Sequence, residues 1–156
     1  MELQENKLDR NYDFSSIVIK YSKTLEQEIY LFMKTLLKFL IEKNQRIENV
    51  SYSVQSKNYT VKDIFTNKPN FGTYKFILKE DIVKTVMESN LDKVLLFFIQ
   101  KKLVAYINFI QEIRNETVHG RPATLNEANS VRAKILGVAQ ESILIELIKN
   151  KKMIEK

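Results

Sequence analysis

Arg114-Asn115-Glu116-Thr117-Val118-His119-Gly120 joins one of only five arginines to the single histidine of the chain, with four residues between them. A guanidinium is permanently charged and offers a fork of N–H donors matched to phosphate oxygens. An imidazole takes up and gives up a proton near neutral pH. Together they can cleave a phosphodiester beside a 2′-hydroxyl, so no cofactor is expected. Asn115 and His119 are four apart and share a face for as long as the helix continues. The Asn115 carboxamide can then hold one ring nitrogen and fix the tautomer. Glu112, three residues before Asn115, brings a carboxylate to the same side. Arg114 and His119 lie about 140 degrees apart around an ideal helix. For both to meet one phosphate, the helix must unwind near Gly120 or the arginine side chain must curl. The same residues are also ordinary helix-ending signals: cations in the last turn, then glycine, then Pro122. The segment alone leaves a purely structural role open.

The elements that must position it read as helices. Phe14, Ile17, Val18, Tyr21, Leu25, Ile29, Phe32, Leu36, Phe39 and Leu40 recur at three- and four-residue steps. They predict a long first helix from a cap at Asp13 or Ser15 to about Lys43. Residues 1–13 read as a polar lead-in, and 44–60 as an irregular loop. Thr60 caps a short helix through Phe65, with Asp63 supporting its first turn. After turn chemistry at Asn67 to Gly72, a second helix is expected over Tyr74 to Ser89, with Glu80 and Asp81 resembling an N-terminal helix turn. A third runs from Leu91 to about Val118. Its buried stripe is Val94, Leu95, Phe98, Ile99, Leu103, Tyr106, Ile107, Ile110 and Ile113. Phe97 and Phe109 extend the apolar surface beyond one face, suiting either a neighbouring subunit or a crowded core. Thr124 to Glu127 forms a capping box, and the fourth helix continues to about Asn150. The fold class is all-α: one domain over 1–156, a four-to-five-helix bundle of up-down type with a C-terminal capping helix.

Composition narrows the function. The chain of 156 residues is 44% apolar and 10% aromatic, with three glycines and two prolines. That favours a packed helical globule over disorder or an all-β sandwich. The absence of cysteine excludes disulfides, thiolate zinc sites and cysteine nucleophiles; one histidine excludes zinc sites built on several imidazoles, so no metal site is expected. A net charge of +6 suits a nucleic-acid partner, though basic residues near a helix C-terminus also complement its dipole. The N-terminus is polar, not a basic-then-apolar leader, and the longest uninterrupted apolar run is Val94 to Ile99. The expectation is a cytoplasmic chain without a membrane partner.

The Arg114-Asn115 and His119 pattern resembles the motif of the HEPN superfamily (higher eukaryotes and prokaryotes nucleotide-binding domains). That motif is Arg, commonly followed by Asn, then three to five further residues and His. Gly120 follows here as it often does there. Ile17 to Glu28 is similar to the first helix of several bacterial members, and Thr124 to Ala128 to the start of their last helix. The least comparable part is Asn44 to Gly72. The resemblance implies a HEPN-like bundle and a metal-independent endoribonuclease, usually homodimeric, in toxin–antitoxin, phage-defence or CRISPR-associated settings. His119 would deprotonate the 2′-hydroxyl or protonate the leaving 5′-oxygen. Arg114 would stabilise phosphate charge, and Asn115 would orient the imidazole or hold a phosphate oxygen. The products would be 2′,3′-cyclic phosphate and 5′-hydroxyl ends. One imidazole serves both proton transfers poorly, and a twofold dimer supplies the second. A nucleotidyltransferase-paired branch carries Tyr two residues after the His. Here that position is Arg121, which does not support that mode of neutralisation but can extend a substrate-binding, phosphate-contacting surface.

Two further readings stay open. The chain could be a non-catalytic HEPN-like module binding nucleotide, RNA or a protein partner, or a toxin held silent by a cognate antitoxin. Glu28 is a candidate ion-pair partner for Arg114, with a solvated flank position as its plainer reading. Tyr21 reads as packing more readily than as a base-stacking platform.

Overall fold

The computed structural model describes residues 13–118, 122–138 and 141–156. The fold is predominantly α-helical, with one two-stranded sheet among the described residues. Its spine is α1 (Ser15–Lys43). Leu25, Ile29, Phe32, Leu36 and Leu40 are buried as their spacing requires, and Tyr30, Met33 and Leu37 widen the buried face. Phe14 occupies the cap position with its ring in the core, so Asp13 works from one residue earlier. Its Oδ1 accepts the N–H of Ser15 at 2.9 Å and the N–H of Ala123 at 2.9 Å. Phe14 N–H in turn donates to Ala123 O at 2.9 Å. The start of α1 thereby grips the chain at Ala123.

The stretch expected to be an irregular loop, 44–60, is ordered. A 3₁₀ turn (Gln45–Asn49) leads into an antiparallel hairpin, β1 (Ser51–Val54) and β2 (Lys57–Thr60), with Tyr52 opposite Tyr59. Gln55 and Ser56 make its two-residue turn at φ 50° and 65°. Such a turn ordinarily recruits Asn or Gly, which is why the sequence gives no hairpin signal. The next 3₁₀ turn (Val61–Phe65) begins as expected, Asp63 Oδ2 accepting the Thr60 N–H at 2.8 Å.

The expected helix over 74–89 is two: α2 (Thr73–Lys79) and α3 (Asp81–Asn90). Glu80, at ψ 133°, is extended and caps α3, so the Glu80-Asp81 pair does begin a helix. The long third helix, α4, runs through Lys93–Phe97, a π-helical segment Phe98–Leu103, and Val104–Val118. Asp92 caps it by accepting the Leu95 N–H at 2.8 Å. Leu95, Phe98, Ile99, Leu103, Ile107, Ile110 and Ile113 are buried. Val94, assigned to that stripe, instead sits in the first turn 71% exposed. By length and composition alone, Lys93–Asn115 is apolar enough to cross a membrane, a test that core helices of soluble proteins also pass.

The expected fourth helix is also divided, into α5 (Leu125–Leu136) and α6 (Ile143–Glu155). Gly137 stops α5 in the left-handed conformation at φ 84°, its N–H donating to Ala133 O at 2.8 Å. Only glycine adopts that conformation without steric cost. Ser142 restarts the helix, accepting the Ile145 N–H at 3.2 Å while its hydroxyl donates to Ile135 O at 2.7 Å. Val138, the residue after Gly137, is consequently exposed. The helices α4, α5 and α6 all pack on α1, enclosing one hydrophobic core.

Candidate active site

Arg114 lies near the end of α4 with half its side chain in solvent. Its Nη1 reaches Glu26 Oε1, on α1, at 3.2 Å. Glu28, the candidate partner from sequence, lies two residues farther along α1, and the ion pair is made by Glu26 instead. The Glu26 side chain is only 14% exposed, and Lys68 Nζ approaches the same Oε1 at 3.9 Å. Lys68 also donates to Gln27 Oε1 at 3.5 Å and stands 5.9 Å from the Tyr30 ring centroid. Lys34 covers that ring at 4.5 Å. The Tyr30 hydroxyl is fixed by donating to Ile64 O at 2.7 Å. One carboxylate therefore sits between two cations, with a third lysine nearby.

Asn115 and Glu112 are both exposed on α4, open to solvent beside Arg114. His119, Gly120 and Arg121 lie outside the described residues, so the Arg114–His119 separation is not part of this geometry. Both flanks of that segment are defined. Helix α4 leads into it through Val118, and Ala123 is fixed beyond it by Asp13 and Phe14. Hydrogen bonds from Ser15, and a further one from Ala123, hold the Asp13 carboxyl below its ordinary value despite some desolvation. Tyr21 is half-buried and packs against the core, as its place in the apolar series suggests.

A second polar cluster ties α4 to α6. Lys102 Nζ donates to Glu146 Oε1 at 2.6 Å and to Glu141 Oε2 at 3.3 Å, and the Tyr106 hydroxyl donates to Glu146 Oε2. Burial pushes the Glu146 carboxyl up, but the hydrogen bonds from Lys102 and Tyr106 together prevail and hold it below its ordinary value. Burial first, and then the bond to Glu146, raise the Tyr106 phenol; the same carboxylate raises Lys102. Glu146 is buried and each of its carboxylate oxygens is taken by a donor from α4, which makes the cluster a clasp between helices. Among the described residues, no three histidine or acidic side chains are gathered so as to hold a metal ion.

Compared with family models, with curated proteins and with solved structures, the chain matches none of them. Sequence reasoning missed Glu26 and Lys68. They approach Arg114 across 88 and 46 positions of chain, and no local periodicity encodes such a meeting.

Proposed function

We propose that this chain is a metal-independent endoribonuclease of the HEPN type, cytoplasmic and acting as a homodimer in a bacterial defence or toxin–antitoxin setting. The observation that carries the reading is the placement of Arg114: a solvent-facing guanidinium beside a second cation, immediately before the segment that bears the only histidine. Its remaining N–H donors suit a phosphate, which Glu26 would share or surrender. In the mechanism, His119 moves the proton at the 2′-hydroxyl or the 5′-oxygen, Arg114 neutralises the phosphate, Asn115 orients the ring, and Arg121 extends the phosphate surface. The twofold partner supplies the second imidazole. Exposed Phe97, Val138 and Ile145 are apolar surface of the kind that assembly covers. Phe109 is less suited to this, because Lys134 lies 4.4 Å over its ring.

One observation favours a second reading. An arginine already paired to an internal carboxylate is what a non-catalytic module, binding nucleotide, RNA or a protein partner, would also contain. Product chemistry separates the two. RNA incubated with the purified chain in excess chelator should yield 2′,3′-cyclic phosphate and 5′-hydroxyl ends. Intact RNA, or ends of another type, would favour the binding module.

A further inference from the structure

The hairpin and the turn after the second 3₁₀ segment enclose a cleft of about 380 Å³. Tyr52 and Tyr59 line it, stacked on each other with centroids 5.7 Å apart and planes at 21°. Lys57 stands on one side; Asn67, Lys68 and Asn70 stand on the other. Asp63 also reaches the cleft, but its Oδ2 is occupied by the Thr60 N–H and hydroxyl. The lysines thus outweigh the only carboxylate lining the cleft. Two half-buried aromatic rings, two cations and the three carboxamides of Gln55, Asn67 and Asn70 form a chemically coherent set. Rings stack on bases regardless of sequence, ammonium groups hold phosphates, and carboxamides present donors and acceptors to base edges.

Position adds a second argument. Lys68 lines this cleft and also meets Glu26 Oε1, the oxygen that holds Arg114. The two cations are no farther apart than their distances to that shared oxygen allow, a separation on the scale of one nucleotide step. We infer that the hairpin cleft is a subsite for an unpaired nucleotide of single-stranded RNA, its base on the Tyr59–Tyr52 stack and its backbone led past Lys68 to Arg114. This rests on RNA being the substrate of the proposed active site. Duplex RNA is disfavoured, because a base inside a helix presents no free face to a ring.

The test uses the full chain and a 2′-O-methyl RNA octamer, which binds but cannot be cleaved by attack of its own 2′-oxygen. Binding therefore reads the cleft independently of catalysis. By fluorescence anisotropy, Tyr59→Ala should weaken binding roughly 5- to 150-fold, the range that loss of a stacked base gives. Tyr59→Phe, which keeps the ring, should bind like the wild type. Lys57→Ala should lower the slope of log affinity against log salt by about 0.7. Circular dichroism confirms that each variant is folded. Octamer binding unchanged by Tyr59→Ala and Lys57→Ala would overturn the assignment. So would equal affinity for a duplex or a mononucleotide, or no octamer binding at all. If cleavage is absent while these binding differences hold, the catalytic reading fails and the cleft stands.

Discussion

Glu26→Gln should move stability and RNA affinity in opposite directions. The substitution keeps the size and one carbonyl acceptor but removes the charge lying 3.2 Å from Arg114 and 3.9 Å from Lys68. Arg114 is half exposed, so each pair is worth at most ~1 kcal/mol and the variant loses about 1 kcal/mol in all. For a domain of this size that is a fall of roughly 2–4 °C in Tm. A phosphate bound to Arg114 would lie ~5 Å from the Glu26 carboxylate. Across solvent, the repulsion at that distance is about 0.8 kcal/mol. Removing it should tighten binding of the cleavage-resistant octamer about 4-fold at low salt. The gain should fade toward 1 M salt, where the screening length falls to about 3 Å. Thermal melts and anisotropy titrations at two salt concentrations read both effects. Weaker RNA binding by Glu26→Gln would refute the reasoning, showing that the carboxylate holds Arg114 in place for its ligand instead of competing with it.

Glu146→Gln should cost about 1–2 kcal/mol, the loss of charge-assisted bonds partly offset by hydration of the 40% exposed Lys102. Because the Glu146 carboxyl lies below its ordinary value of 4.5, its contribution is full above that pH and disappears as pH falls through the lower folded value. Urea midpoints of the wild type should therefore drop on acidification below about 4.5, and the Glu146→Gln midpoints should drop less. Parallel pH dependence in the two proteins would show that Glu146 is not the group responsible. Gly137→Ala should destabilise by about 1 kcal/mol, since alanine at φ 84° meets the steric penalty that glycine avoids. An unchanged urea midpoint would mean that the α5–α6 junction adjusts freely.

The long helices were legible because their apolar residues repeat over many turns: α1 and the buried stripe of α4 follow from spacing alone. The breaks were not. Glu80 ends α2 through a single extended residue that is a good helix former elsewhere, and Gly137 is one glycine inside an otherwise continuous pattern. The hairpin was hidden by four-residue strands and a Gln55-Ser56 turn lacking the usual residue types. In the site, Arg114 was found from its own chemistry. Glu26 carries no comparable local signal, because its meeting with Arg114 depends on how α1 and α4 are packed. Tyr52 and Tyr59 carry two-residue alternation, but so short a run is drowned by the surrounding polar residues.

Cleavage of an unpaired RNA in excess chelator, comparing wild type with Arg114→Ala and His119→Ala, tests the proposed active site most directly. Turnover by the wild type that falls at least 100-fold in each variant, with both variants folded, is the predicted result. Equal cleavage by all three proteins, or none by the wild type, would contradict it.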